Sequence, residues 1–305
     1  MIPREPRLEL EQALGDRVRF QVPMARHTSL RVGGPADALA SPTSRRSLAR
    51  LLRICAAHRI PRRVLGSGFN SLVLDGGVEG VVIQLGGLRR IEARPGRALR
   101  VEAGVSHSQV TRFCTPLGLA GLEFGAGIPG SVGGWVAMNA GIPGREVKDA
   151  AREVEVMSPT GRSIHHLGRE RLRFTYRALR GLAPGSVILS VLFGVALAAP
   201  DQVRAEVDRL LARRAATQPL NVPSCGSVFR NPPGDHAGRL IEAAGLKGHR
   251  AGAAQISPVH ANFIANLGGA TAADVLALIE EAQKRVEEIS GVRLVPEVHI
   301  IGRQA

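Results

Sequence analysis

Cysteine is scarce in this chain of 305 residues, and the three present (Cys55, Cys114 and Cys225) are irregularly spaced. An odd, scattered set argues against a disulfide framework and a thiolate zinc site, and suits a reducing compartment. Aromatic residues make up 3%, with one Trp and one Tyr, which leaves little material for base-stacking platforms. Lysine is nearly missing: Lys148, Lys247 and Lys284 are the whole set, so the 40 basic residues are almost all Arg. Against 26 acidic residues they give a formal charge of +14. The arginines are spread along the chain, not gathered in a tail. That spread fits a compositional bias or attraction of small anions better than a nucleic-acid interface. No apolar run approaches the ~18–20 residues of a membrane span. The opening MIPREPRLELEQALGDR lacks the apolar stretch of a secretory signal. The expected location is the cytoplasm.

What is present is ordinary globular material, 44% hydrophobic and 22% charged. The length exceeds what one core supports, since single cores stop growing near ~250–300 residues. The pattern predicts an α+β chain with boundaries near Gly86 and Pro200, hence segments 1–86, 87–200 and 201–305. Ser44 is placed to cap a helix through about His58, with Leu48, Leu51, Leu52 and Cys55 on one stripe. Short strands are expected at 63–65, 72–74 and 80–85. Further strands are expected at 99–102, 154–157 and 187–195, with a turn at Pro159-Thr160-Gly161. A short helix around 107–117 carries Cys114. Residues 201–217 predict an amphipathic helix with Val203, Val207, Leu210 and Leu211 inward and Arg204, Arg209, Arg213 and Arg214 in water. Helices follow at 237–244 and 271–290, the latter opened by Thr271 and Asp274 as a capping box. A final strand is expected over 292–301.

Five segments carry candidate chemistry. In Gly66-Ser67-Gly68-Phe69-Asn70-Ser71, glycine lets main-chain N–H groups approach an anion closely. It fails as a dinucleotide fingerprint because Ser71 stands at the third glycine and a strand follows, so a plain β-turn also fits. Residues 125–134 hold five glycines in ten, which costs roughly 0.5–1 kcal/mol each where regular structure would form. Both a ligand cradle and a tight loop over a sheet edge fit that composition. Tyr176-Arg177 suits a carboxylate or pyrophosphate, or a surface strand end. Ser227, after Gly226, can be held near a ligand but lacks the G-x-S-x-G elbow, so a serine hydrolase is unsupported. Cys225 reads as a packed small residue. Glu297, in an apolar terminal stretch, is either desolvated and paired or protonated, or faces water. The histidines show no metal-ligand spacing.

In order, these segments resemble the UDP-N-acetylenolpyruvoylglucosamine reductases, flavoenzymes of peptidoglycan synthesis. The likeness runs from about Thr28 to Gly302. It includes Thr28-Ser29-Leu30-Arg31-Val32-Gly33-Gly34, residues 66–73, Gly127 through Gly134, and Tyr176-Arg177. It continues through Gly226 to Pro232, Gly238 to Gly248, His260-Ala261-Asn262-Phe263-Ile264-Ala265-Asn266 and Pro296-Glu297-Val298. The short spacing from Arg177 to Ser227 resembles the compact subtype. The resemblance implies a two-part FAD module of the vanillyl-alcohol-oxidase type, over 1–86 and 87–200. It implies a C-terminal α+β domain for the UDP-sugar over 201–305. It implies non-covalent FAD held by Arg31, Gly66, Ser67, Gly68, Phe69, Asn70, Ser71, Gly127, Pro129, Gly130, Ser131, Gly133, Gly134 and Asn139. NADPH is implied as hydride donor, with no metal. Arg177, Ser227 (as proton donor) and Glu297 are implied as catalytic. Tyr176, Arg230, Asn231, His260 and Asn262 are implied as contacts to UDP-N-acetylglucosamine enolpyruvate. A monomer without nucleic-acid or membrane partners is expected. Phe69, Trp135 and Cys225 depart from the family, which usually has serine, a small residue and alanine there. A sugar or alcohol oxidase of the same superfamily is the competing expectation.

Overall fold

The structure, a computed structural model, describes residues 1–305. In chain order its main elements are α1 (Arg4–Leu14), β1 (Val18–Pro23), β2 (Pro35–Ala40), α2 (Arg45–Ala57), β3 (Arg62–Val64), β4 (Ser71–Val73), β5 (Val78–Ile83), β6 (Ile91–Arg94), β7 (Ala98–Glu102), α3 (His107–Cys114) and α4 (Val132–Ala137). They continue with β8 (Ala151–Met157), β9 (Ile164–Gly168), β10 (Arg173–Thr175), β11 (Ala178–Arg180), β12 (Val187–Gly194) and α5 (Pro200–Thr217). The last are β13 (Ser224–Ser227), α6 (Ala237–Ala243), β14 (Arg250–Ala251), β15 (Ala254–Ile256), β16 (Phe263–Asn266), α7 (Ala272–Ser290) and β17 (His299–Ile301). The mixture is α+β, as the pattern predicts.

Two compact units form. The first gathers Met1–Phe20, Ala38–Ser67 and Gly80–Arg214; the second gathers Gln21–Asp37, Gly68–Glu79 and Ala215–Ala305. Residues 21–37 and 68–79, within the first expected segment, therefore lie in the second unit.

The first unit is built on a five-stranded antiparallel sheet of order β9-β8-β12-β7-β6. β12 is central and reads VILSVLFG, an almost unbroken apolar run, because both of its faces are covered. A second sheet has order β1-β2-β5-β3, with β3 and β5 parallel from Arg62↔Val81 to Val64↔Ile83. Ser44 caps α2 through a reciprocal box with Ser47, and Leu48, Leu51, Leu52 and Cys55 are fully buried. Burying side chains of that size stabilises by about 1.5–3 kcal/mol each. α1, which sequence periodicity did not predict, buries Leu10 and Leu14 in the same core.

The second unit packs α7 on the antiparallel sheet β13-β16-β15-β14, and adds the parallel pair β17-β4. Val275, Leu278, Ile279, Ala282 and Val286 of α7 join Leu72, Ile256, Ile264 and Leu294 in its core. Thr271 and Asp274 form the expected capping box, and Gly291 in the left-handed region ends the helix.

Two expectations fail. The terminal strand is confined to His299–Ile301, because residues before it bond elsewhere: Arg230 N–H donates to the Val295 carbonyl (2.9 Å) and Gln283 Nε2 to the Leu294 carbonyl (2.8 Å). Glu297 therefore lies outside any strand. On α5, Leu211 is 43% exposed while Arg214 is only partly so, since the inward stripe is Val203, Val207 and Leu210.

Candidate active site

In the first unit, β3 runs out through Leu65, whose N–H still donates to the Ile83 carbonyl (2.9 Å), and the chain then enters Gly66 and Ser67. The second glycine segment is fastened at both ends. Ala126 and Ile128 close tight turns onto Glu123 and Gly125. Val132 and Gly133 donate to the carbonyls of Val105 and Ala103, each at 2.9 Å. Gly127 and Gly130 have φ of 73° and 114°, which glycine adopts without strain. A Cβ on Gly133 would lie 2.9 Å from the Ala103 Cβ, and one on Gly66 would lie 3.0 Å from Ser131 Oγ. Between these anchors the amides of Gly66, Ser67, Gly127, Gly130, Ser131 and Gly134 donate to no protein acceptor. Unclaimed N–H groups in such turns are the donor set a diphosphate requires. The residues present fit that group. Pro129 stiffens the loop.

Asn139 follows α4 fully buried, with φ of 43°. Its Nδ2 donates to Glu146 Oε2 (2.9 Å) and to the Thr175 carbonyl (3.1 Å), and its Oδ1 accepts from Lys148 N–H (3.0 Å). Through Thr175 it holds the tip of the β10-β11 hairpin, where Tyr176 and Arg177 sit. The Arg177 guanidinium lies 4.9 Å from the Tyr176 ring centre, and Arg177 has φ of 55°. Six non-glycine residues have positive φ, and Arg31, Asn139 and Arg177 are three of them. Side chains rarely sit in that region, and such backbone clusters at functional sites.

The second unit brings Phe69, Asn70, Ser227 and Glu297 onto neighbouring segments. Ser224 pairs with Ala265 and Ser227 with Phe263, so β13 carries one extra residue, a bulge that re-aims Ser227. Gly226 supplies the φ of 76° this requires. Glu297 N–H donates to the Val228 carbonyl (2.7 Å), and Asn70 Nδ2 to the Glu297 carbonyl (3.3 Å). Glu297 is thereby set one residue from Ser227 across a main-chain bond. Cys225 is buried, and burial pushes its thiol up to about 12, so it packs as a neutral side chain. Asn262 spends its amide on one neighbour: Oδ1 accepts from Phe229 N–H (2.9 Å) and Nδ2 donates to the Phe229 carbonyl (2.8 Å). That clamp steadies Arg230, whose Nε is buried without a protein acceptor. Asn231 Oδ1 accepts from Ala237 N–H (3.1 Å) at the start of α6. His260 Nδ1 accepts from Asn262 N–H (3.2 Å), and burial lowers its pKa, keeping the ring neutral. Arg31 is exposed in its left-handed turn, with its N–H on the Thr28 carbonyl (3.2 Å). Ser71 opens β4 opposite His299.

Residue patterns did not single out Ser29, whose hydroxyl donates to the Ser224 carbonyl (2.6 Å), or Asp75, whose carboxylate caps the first amides of α7 at 2.9 and 3.1 Å. Both partners are distant in sequence, and no local signal exposes them. No group of three or more His, Cys, Asp or Glu is arranged to hold a metal ion. No helix is long and apolar enough to cross a membrane.

Comparison with known proteins gives the geometry a family. Residues 36–166 match the FAD binding domain, and residues 218–301 match the UDP-N-acetylenolpyruvoylglucosamine reductase C-terminal domain. The UDP-N-acetylenolpyruvoylglucosamine reductase of Alkalilimnicola ehrlichii is 47% identical over 93% of this chain and 95% of its own. The crystal structure of the reductase from Thermus caldophilus superposes with a TM-score of 0.81 at 38% identity, covering 93% of this chain and all of that one. A Phl p 4 variant described as a glucose oxidase shares only the fold, with a TM-score of 0.50 at 14% identity over 65% of this chain and 45% of its own. By its length of match and its glycine-lined and Ser227 segments, the chain belongs to the UDP-N-acetylenolpyruvoylglucosamine reductase family.

Proposed function

We propose that the protein reduces UDP-N-acetylglucosamine enolpyruvate to UDP-N-acetylmuramate for peptidoglycan synthesis. NADPH is the hydride donor, FAD is bound non-covalently, and the enzyme works as a cytoplasmic monomer. The observation that carries the reading is identity of 47% along nearly the whole length with a reductase of that name. In this reading segments 1–86 and 87–200 supply the FAD module and 201–305 the UDP-sugar domain. The amides of Gly66, Ser67, Gly127, Gly130, Ser131 and Gly134 hold the pyrophosphate. Gly133 lets the loop close on the sheet, and Pro129 and Asn139 fix its course. Arg31, Gly68, Phe69, Asn70 and Ser71 complete the FAD contacts.

Bound FAD supplies a two-electron carrier between NADPH and the enolpyruvyl ether. The substrate's double bond takes a hydride at its methylene and a proton at the neighbouring carbon, while NADPH becomes NADP⁺. Hydride addition pushes negative charge onto the substrate carboxylate. Arg177 faces that charge as a planar fork, and a well-placed donor of this kind is worth on the order of 3–4 kcal/mol in the transition state. Ser227 gives its hydroxyl proton to the carbon, a contribution of about 10²–10⁴-fold for a positioned acid. Glu297 stands beside that step as an electrostatic or acid group. Arg230, with its buried Nε–H lacking a protein acceptor, supplies a donor to the substrate, joined by Tyr176, Asn231, His260 and Asn262.

The test is transient kinetics on Ser227→Ala. Flavin reduction by NADPH proceeds at the wild-type rate, and reoxidation by substrate slows at least 10²-fold. An equal loss in both halves rules out the proton-donor role. A purified protein that is colourless and takes up no FAD overturns the reading as a whole.

A further inference from the structure

The chain's single tryptophan sits against the glycine loop and is not part of the site described above. Trp135 is 5% exposed, one turn into α4. Its indole stacks on His107, with ring centres 4.4 Å apart and 27° between planes. The Phe124 ring stands 6.4 Å away at a tilt. Gly125 closes the slot: a Cβ there would lie 2.2 Å from Trp135 Cη2 and 2.7 Å from His107 Cδ2. Gly125 is not among the positive-φ glycines, so the rings, not the backbone, require its missing side chain. The indole Nε1–H then donates to the Pro129 carbonyl (3.3 Å).

That bond has a geometric consequence. In a trans peptide the carbonyl of one residue and the N–H of the next point in opposite directions within one plane. Holding the Pro129 carbonyl toward the indole turns the Gly130 N–H away from it. Gly130 N–H is one of the amides with no protein acceptor, and at φ of 114° nothing in its own conformational preference would fix that direction. We propose that Trp135, clamped between His107 and Gly125, is a positioning residue that aims the Gly130 amide at the FAD pyrophosphate. This rests on reading residues 127–134 as the pyrophosphate cradle. Trp135 acts through Pro129.

The experiment compares holoenzymes of wild type, Trp135→Phe, Trp135→Leu and Gly134→Asp. FAD retention after dilution and ultrafiltration gives the dissociation constant, calorimetry gives the affinity for uridine diphosphate, and Tm is recorded for each. Trp135→Leu loses both stack and hydrogen bond, and FAD binding weakens at least tenfold while uridine diphosphate affinity stays within twofold. Trp135→Phe keeps a ring on His107 and loses the bond to Pro129, so it falls between Leu and wild type. It decides the matter if the Leu variant does not fold. A role limited to stability lowers Tm and leaves the FAD dissociation constant unchanged, and that outcome overturns the proposal. Gly134→Asp separates the two levels, because a Cβ there meets nothing nearer than Ser131 Oγ at 3.8 Å and the added carboxylate repels a diphosphate. If Gly134→Asp retains FAD normally, the cradle reading is wrong. If Gly134→Asp loses FAD and the Trp135 variants keep it, only the role of Trp135 is wrong.

Discussion

The two units tie their main antiparallel sheets together through buried polar networks of different chemical form. In the first, Arg45 on α2 reaches into the sheet, with Nη1 on Glu102 (2.6 Å) and Nη2 on Glu155 (2.8 Å). Ser190 on the central strand donates to Glu155 Oε2 (2.6 Å), and Arg90 N–H to Glu102 Oε2 (2.9 Å). Burial opposes ionisation of Glu155, but Arg45 and Ser190 win and hold its carboxyl below the usual range. Around the antiparallel sheet under α7 the second unit spends neutral groups at the corresponding depth. Asn262 clamps Phe229, and Asn266 accepts from the amides of Gly268 (2.8 Å) and Ala270 (3.1 Å) while donating to the Leu30 carbonyl (3.0 Å). A carboxylate offers several acceptor sites and so ties three strands and a helix at one point. An amide offers fewer, but it does not titrate. The difference predicts where each unit is fragile.

Removing the cation breaks the comparison most severely. Arg45→Met leaves two carboxylates without their counter-charge, a defect of ~3–5 kcal/mol for buried pairs. Arg45 is about one-third exposed, which moderates the loss toward the lower end. Urea unfolding followed by Trp135 fluorescence measures it. An unchanged midpoint would show that the network contributes little beyond a hydrophobic contact.

Acid is the next largest lever. Burial lowers His107 from its ordinary 6.5 to about 4, with the Arg214 charge adding to the effect and the Leu122 carbonyl opposing it. The folded state thus favours the neutral ring. Its contribution is complete above 6.5 and is lost as pH falls from there toward about 4, on the order of 3 kcal/mol in all. Glu155 adds a loss at lower pH, below the usual carboxylate value of 4.5. Between pH 6.5 and 4, amide protection factors, taken relative to the intrinsic exchange rate at each pH, should fall more in β8 and β12 than in α7. An equal fall in both units would dissolve the distinction.

The amide side of the comparison is tested by Asn262→Ala. It strands the Phe229 N–H and carbonyl in a buried site, at about 1–3 kcal/mol for each group left unpaired. The melting point should fall without any new pH dependence. KM for the UDP-sugar should rise, because Phe229 carries Arg230 beside it. A normal KM would separate Asn262 from the binding of substrate.

Local chemistry made much of this legible. The stripe Leu48, Leu51, Leu52 and Cys55 and the cap at Ser44 follow from spacing alone, and both appear where spacing puts them. The glycine segments announced a close approach of main chain, because glycine is costly wherever it is not needed. What stayed hidden was settled by distant partners. Gly125 looks like one more loop glycine until Trp135 and His107 are seen to fill the place of its side chain. Residues 292–298 have a strand's composition, yet they bond to Arg230, Val228 and Gln283 in turn and form no ladder. Arg214 belongs to a charged face by periodicity, but it packs over Gly127, where a Cβ would lie 2.7 Å from its Cδ.

The smallest test uses the feature the two units share. Ser44 begins α2 and Thr271 begins α7, each in a reciprocal box with the residue three positions on, and both boxes are exposed. Each hydroxyl satisfies one amide that the helix cannot, and losing such a cap costs about 1 kcal/mol. Ser44→Ala and Thr271→Ala should therefore destabilise by similar amounts, equally at pH 7 and pH 5, since no hydroxyl titrates there. Asp274 gives the α7 box a carboxylate on the Thr271 N–H (2.9 Å) where α2 has the Ser47 hydroxyl on the Ser44 N–H (3.1 Å). A charged partner near the first turn strengthens a cap by a few tenths of a kcal/mol at low salt. Raising the salt should bring the two costs together. If the Ser44 variant instead showed the larger and more pH-dependent loss, the cap would be coupled to Arg45 one residue on, and the charged network would extend to the helix end itself.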